Sequence, residues 1–372
     1  GAAYFTHNHA VSQAALNGFF TLYHAADGML KDSRDLVEHF PFPPAEEAFG
    51  TAREMLFGAA DAPAEAKDNP LWRRTSTGRA QRDWNVVVIV MESMAGRPVG
   101  ALGYGASHTP RLDAICREGV FFDRLYAVDE RTSRGLVAVL CGHPDLGGFS
   151  LMKRSRAQGN FLTLPEVFRR RGYRTLFIYG GDPDFDNMAG FFGAGGVETI
   201  VGLDQMDRSG PATEWGMHDE VSLRKAHETF VSLGRQKFFA AILTISNHQP
   251  FDVPAGRTEL LPAETLENRR LNGYRYADWA LGDFFDRAAG AEYFRRTVFV
   301  LVADHGRDFD RSQLFDAHGY RVPCVIYAPG LVAPRRVATV ASQTDIAPTL
   351  LALLGGQYEH GFLGRDLLSA AP

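Results

Sequence analysis

The sequence predicts an α/β fold, a three-layer sandwich around a mostly parallel central sheet, preceded by a helical N-terminal arm. Continuous apolar runs recur beyond Trp84, and continuous rather than alternating runs are what strands covered on both faces require. Segments of helical spacing separate those runs, which is the order that builds parallel sheets. With 372 residues, 45% of them hydrophobic, the chain is long enough to bury one large core.

The N-terminal part differs from the rest. "AVSQAALNGFFTLYHAADGML" (10–30) has apolar residues at helical spacing, "FPFPPAEEAFG" (40–50) reads as loop and "DAPAEAKDNP" (61–70) as polar linker. Residues 1–78 are therefore expected to be a helical juxtamembrane arm and linker, and residues 79–372 a catalytic domain. Strands are predicted at "NVVVIVM" (85–91), "GVFFDRLYA" (119–127), "YRTLFIYG" (173–180), "FFAAILTIS" (238–246), "TVFVLVAD" (297–304) and "VPCVIYAPG" (322–330). Helices are predicted at 163–172, 218–234 and 268–290, with a short apolar one at "GLVAVL" (135–140).

Composition excludes several functions. The net charge of −5, from 39 basic and 44 acidic residues spread along the chain, offers no basic stripe, so nucleic acid is not an expected partner. Cys116, Cys141 and Cys324 have no ligand spacing and read as small core hydrophobes. No run approaches the roughly 20 apolar residues of a membrane-spanning helix, so any membrane attachment is expected to use segments absent from this chain.

Ligands of open α/β sheets bind outside the carboxyl ends of the strands. Three predicted strands end there in polar groups: Glu92 and Ser93; Ser246, Asn247 and His248; Asp304 and His305. One such ending is ordinary, whereas three together mark a site. Glu92, Asp304 and His305 offer hard oxygens and one imidazole, a set suited to Mn²⁺, Mg²⁺ or Zn²⁺, and three protein ligands leave a position open for catalysis. Thr132 and Ser133 stand just before "GLVAVL". Thr132 on its own reads as a helix N-cap, but a hydroxyl placed beside a divalent cation becomes a nucleophile.

An ordered set of motifs over residues 80–368 then resembles the alkaline phosphatase/sulfatase superfamily, in its lipoteichoic acid synthase and phosphoglycerol transferase branch. The set runs "NVVVIVMES", "TPRLDAICREGVFFDRLYA", "RTSRGLVAVLCGHP", "EWGMHDEVSL", "TISNHQPF", "VADHG", "HGYRVPCVIYAPG", "SQTDIAPTLLALLG" and "GRDLL". The resemblance implies a sulfatase/alkaline phosphatase-like fold and one divalent metal ion, Mn²⁺ with Mg²⁺ or Zn²⁺ as alternatives, on Glu92, Thr132, Asp304 and His305. It implies Thr132 as nucleophile of a phosphothreonine intermediate, and His248 and His318 as substrate-binding residues. "TSRGL" lacks the C/S-x-P-x-R context of a sulfatase formylglycine. The implied reaction moves phosphoglycerol from phosphatidylglycerol to a glycan or lipid acceptor at the extracytoplasmic (periplasmic) face of a bacterial inner membrane. Relatives that transfer glycerol phosphate tend to carry a Trp and an Arg after the "YGG" strand, where this chain has Phe185, Asp186 and Asn187. That departure keeps phosphoethanolamine transfer open, beside a phosphodiesterase or phosphatase using water and a non-enzymatic, degenerate member. His143, Trp215 and His218 lie near motifs, with packing explaining them equally well.

Overall fold

The computed structural model describes residues 43–64, 69–145, 148–307 and 316–369. The expected helix at 10–30 lies outside them. The chain divides into a small unit ending at Met55, with residues 147–149, and a large unit of Leu56–Leu146 and Ser150–Pro372. The small unit contains most of a helix at Ala45–Leu56, where loop had been expected. Pro43 and Pro44 misled that reading: they precede the helix, where a missing N–H costs nothing, and Glu46 and Glu47 favour its first turn.

The central sheet of the large unit has eight strands among the described residues: β1 (Asn85–Met91), β2 (Val120–Phe122), β3 (Arg174–Tyr179), β4 (Thr199–Val201), β5 (Phe238–Leu243), β6 (Thr297–Ala303), β7 (Cys324–Tyr327) and β8 (Arg335–Val337). Their order is β8-β2-β7-β6-β1-β5-β3-β4. Only β7 runs antiparallel to its neighbours, so the sheet is mostly parallel, as predicted. Every residue of β1, β5 and β6 is buried, which explains why these strands read as unbroken apolar runs.

The longer helices packed around this sheet are α1 (Pro110–Glu118), α2 (Thr132–Cys141), α3 (Leu164–Arg170), α4 (Met188–Ala194), α5 (Asp219–Ser232), α6 (Leu266–Ala288) and α7 (Ile346–Leu354). The chain leaves β1 toward β2 on one side and returns to β3 on the other, so β1 is where the strand order reverses and a ligand crevice is expected. A separate antiparallel sheet joins Asp61–Pro63, Arg73–Ser76 and Gln357–His360. The strands Asp61–Pro63 and Arg73–Ser76 fall in the segment expected to be arm and linker, and they pair within this sheet. Among the described residues no helix is long and apolar enough to cross a membrane.

Candidate metal and nucleophile site

Strand register brings the first three groups together. Met91 of β1 pairs with Ala303 of β6, so the next residues, Glu92 and Asp304, emerge side by side. β5 flanks β1 on the other side, where the Thr244 hydroxyl accepts from the Glu92 N–H at 2.8 Å. Ligand atoms of Glu92, Asp304 and His305 all lie within 4.8 Å of one another, and all three residues are buried.

Each side chain is oriented by a second contact. The Asp304 Oδ1 accepts from the backbone N–H groups of Ser93 and His305, both at 2.7 Å, while Oδ2 is buried with no hydrogen-bond partner. His305 Nδ1 lies 2.8 Å from the Gly306 carbonyl, which can only accept, so in the neutral ring Nδ1 carries the proton and Nε2 is the bare nitrogen. That Nε2 faces Asp304 Oδ2 at 3.4 Å and Glu92 Oε1 at 3.9 Å. An orphaned carboxylate oxygen and a bare imidazole nitrogen, both turned toward a second carboxylate, fit a divalent cation with hard donors.

The electrostatics of the cluster are those of like charges held close together. Burial and the neighbouring Glu92 push the Asp304 carboxyl up to about 7. Burial would raise Glu92 too, but His305, His248 and the Ser93 hydroxyl outweigh it and hold it below the usual carboxylate range. Burial opposes charge on His305, while Asp304 and Glu92 raise its imidazole above its ordinary value. The two carboxylates therefore split as like charges sharing one site do.

Ser93, just past the strand, has φ of 50°, a left-handed conformation disfavoured for any residue with a side chain. It is held there from two sides: its carbonyl accepts from Asn247 Nδ2 at 3.0 Å and from the Tyr274 hydroxyl at 3.2 Å. The turn aims the Ser93 hydroxyl back at Glu92 Oε1, to which it donates at 2.6 Å. Such over-determined strain is typical of functional sites.

Thr132 arrives on α2. It is the first residue of the helix rather than its N-cap, which is Arg131 and makes no side-chain cap. The Thr132 hydroxyl instead donates to Glu92 Oε2 at 3.2 Å. Gly135, one turn on, makes this approach possible, because a Cβ there would run into the Asp304 carbonyl oxygen. The same carbonyl accepts from Gln343 Nε2 at 2.6 Å, so helix and strand end are fixed together.

These groups line a cavity of about 680 Å³. Its wall includes Glu92, Thr132, His248, His305 and Arg307, together with Phe185, Asp186 and Trp215. His248 donates Nδ1–H to the Gln249 carbonyl at 2.8 Å and packs its ring 4.3 Å from that of Trp215, so Nε2 lies outside that bond. Trp215 sits at the tip of the hairpin Ala212–Thr213/Gly216–Met217, with its indole N–H on the Gln249 carbonyl at 2.9 Å. His318 is not among the lining residues; its Nδ1 lies 3.0 Å from the Tyr104 hydroxyl. His218 is buried against Tyr276 and next to Ser246, a packing position. His143 packs edge-on to Phe161.

Sequence reasoning missed the residues that fix the site from afar: Asn247 as a brace, Gln343, Asp219 and Arg307. Asp219, at the start of α5, accepts from the Ile245 and Ser246 N–H groups and so holds the end of β5. Burial raises its carboxyl to about 6. Only Gly135 carried a readable signal, a glycine inside an otherwise apolar helix.

A mostly parallel sheet whose reversal point gathers two carboxylates, an imidazole nitrogen and a helix-borne hydroxyl defines an α/β protein with a candidate hard-cation site. The chain belongs to the sulfatase family, whose model matches residues 84–356, and thus to the alkaline phosphatase superfamily. It is 32% identical to a structurally characterised alkaline phosphatase superfamily protein of Vibrio parahaemolyticus, with a TM-score of 0.81 over 89% of this chain and 80% of that one. A lipoteichoic acid synthase-like protein of Bacillus subtilis is 24% identical over 77% of this chain and 50% of its own length. Phosphoglycerol transferase I of Xanthomonas axonopodis pv. citri is 28% identical over 71% of this chain and 40% of its own. The chain thus spans half or less of the length of these two curated relatives.

Proposed function

We propose that the chain is the catalytic unit of an enzyme that transfers a phosphoglycerol group from phosphatidylglycerol to a glycan or lipid acceptor, through a phosphothreonine at Thr132. The observation that carries this reading is the Thr132 hydroxyl, 3.2 Å from Glu92 in the cavity that also contains His305 and His248. The names of the two curated relatives support phosphoglycerol transfer as the class of reaction.

In this reading Glu92, Asp304, His305 and Thr132 hold one divalent metal ion, Mn²⁺ by preference, which supplies charge neutralisation and a lowered hydroxyl pKa. Thr132 Oγ1 gives up its proton and bonds to phosphorus while the bond to the diacylglycerol oxygen breaks with its electron pair, and diacylglycerol leaves after taking up a proton; the acceptor hydroxyl then loses its proton and bonds to phosphorus as the Thr132 Oγ1–phosphorus bond breaks and Thr132 regains a proton. Glu92 accepts the hydrogen bond that orients the Thr132 hydroxyl before attack. His248, through Nε2, is suited to a headgroup hydroxyl. His318, beside the Tyr104 hydroxyl, is assigned the outer end of the donor or the acceptor.

Asp186 bears on headgroup choice. It faces the cavity, yet it already pairs with Lys153 at 2.5 Å, so its charge does not call for an amine. This favours glycerol over ethanolamine. We take residues 79–372, with the strands at 61–76, as the catalytic unit, and the preceding segment as a juxtamembrane arm. The work is assigned to the extracytoplasmic (periplasmic) face of the bacterial inner membrane.

The test is incubation of the protein and Mn²⁺ with headgroup-labelled phosphatidylglycerol or phosphatidylethanolamine, followed by mass spectrometry of the Thr132 peptide. Label from phosphatidylglycerol alone is expected. Label from phosphatidylethanolamine alone would replace the donor, and turnover without any adduct on Thr132 would remove the phosphothreonine.

A further inference from the structure

We propose that Arg307 binds the transferring phosphoryl group, donating from its guanidinium to the non-bridging oxygens. The proposal rests on the reading of the cavity as a phosphoryl-transfer site and adds a residue that the sequence motifs did not single out.

Arg307 follows the metal-ligand pair by two positions and lines the same cavity as Thr132, Glu92 and His305. Its Nη2 donates to the Ser93 hydroxyl oxygen at 2.9 Å and stands 4.0 Å from Glu92 Oε1. Because the other oxygen of Glu92 takes the Thr132 hydrogen bond, the guanidinium and the nucleophile address opposite oxygens of one carboxylate. Anything bonded to Thr132 Oγ1 in this cavity is therefore a neighbour of Arg307.

The guanidinium is also held without being used up. Its plane is supported by Phe251, 5.3 Å from cation to ring centroid. Its Nε is buried and has no hydrogen-bond partner among the described residues. A guanidinium carries five donors in a fixed fork matched to two oxygens of one phosphate or carboxylate. A buried N–H of a charged group left without an acceptor is costly. An anion entering the cavity supplies the acceptors that Ser93 and Glu92 leave unprovided. Phosphoryl oxygens, which bear the charge spread in transfer, are the anion that the neighbouring nucleophile would engage. The other arginine among the described lining residues, Arg131, is exposed to solvent.

Inorganic phosphate serves as the probe, titrated calorimetrically into the Mn²⁺-loaded full chain and into Arg307→Ala and Arg307→Lys. Arg307→Ala is expected to weaken phosphate binding roughly 10- to 100-fold, the loss of one or two charge-assisted hydrogen bonds, with Mn²⁺ content unchanged. Arg307→Lys keeps the charge but loses the fork, and its affinity should fall between the two. Added guanidinium ion should restore Thr132 labelling by the Ala variant. Equal phosphate affinity in wild type and Arg307→Ala, or no phosphate binding by wild type, overturns the proposal. Should Arg307→Ala fail to fold, the same comparison with Arg307→Lys decides, and wild-type affinity there counts against it. Arg307-dependent phosphate binding in a protein that takes no label from either lipid leaves the clamp standing and removes the lipid donor instead.

Discussion

Thr132 and the three groups around it divide the work in a way that substitutions can separate. Thr132→Ala removes a hydroxyl at the start of a helix and leaves Glu92, Asp304 and His305 in place. Transfer is expected to fall at least about 10³-fold, as when other enzymes lose a nucleophile, with metal content and melting temperature close to wild type. Activity assay beside metal analysis checks this, and normal turnover would refute the assignment. Glu92→Ala and Asp304→Ala should instead lose the metal, read by elemental analysis after dialysis; full metal content in both would undo the ligand set. These residues were legible because each is a charged group at the end of an unbroken apolar strand, where burial of a charge demands a purpose. Arg307 and Gln343 were not. Their partners, Ser93 and the Asp304 carbonyl, lie 214 and 39 positions away, and nothing local marks such contacts.

Helix α2 and strand β6 show how backbone proximity sets chemistry. Thr132 reaches Glu92 because Gly135 lets the helix rest on the carbonyl of Asp304. Gly135→Ala must push them apart. A displacement on the order of 1 Å costs roughly 10²-fold in a positioned reaction, and overpacking costs about 1–3 kcal/mol of stability. The predicted signature is a fall in kcat with a modest loss in denaturant midpoint and retained metal; wild-type kcat would show that the close approach has no catalytic consequence. β1 and α3, α5 and α6 were read from periodicity to within about two residues of their observed ends. The short strands β4 and β8 were not, since three residues carry too little pattern. The start of the helix Ala45–Leu56, after Pro43 and Pro44, was mistaken for loop because proline marks a helix start as readily as a break.

The fold is closed by a small sheet in which a segment before β1 pairs with the last strand. Buried there, His360 lies 2.8 Å from Thr75 Oγ1 and accepts the Phe362 N–H at Nδ1. Burial, helped by the Arg73 charge, presses its pKa down to about 3. Between that value and the ordinary 6.5 the unfolded chain binds more protons than the folded one. The stabilisation is therefore complete above about pH 6.5 and drains away as pH falls, at a slope approaching 1.4 kcal/mol per pH unit. Between pH 6.5 and 5 the wild type should lose about 2 kcal/mol through this residue, and His360→Gln should flatten that part of the profile. An unchanged slope in the variant would assign the acid sensitivity elsewhere. The pairing of Arg73–Ser76 with Gln357–His360 spans most of the sequence, and no local pattern announces it.

Anomalous diffraction from crystals grown with Mn²⁺ addresses the gathering of four groups around one cation most directly. One strong peak is predicted within coordination distance of Glu92, Asp304, His305 and the Thr132 hydroxyl oxygen. A peak elsewhere in the molecule, or one at the carboxylates with the Thr132 oxygen far outside bonding reach, would contradict it.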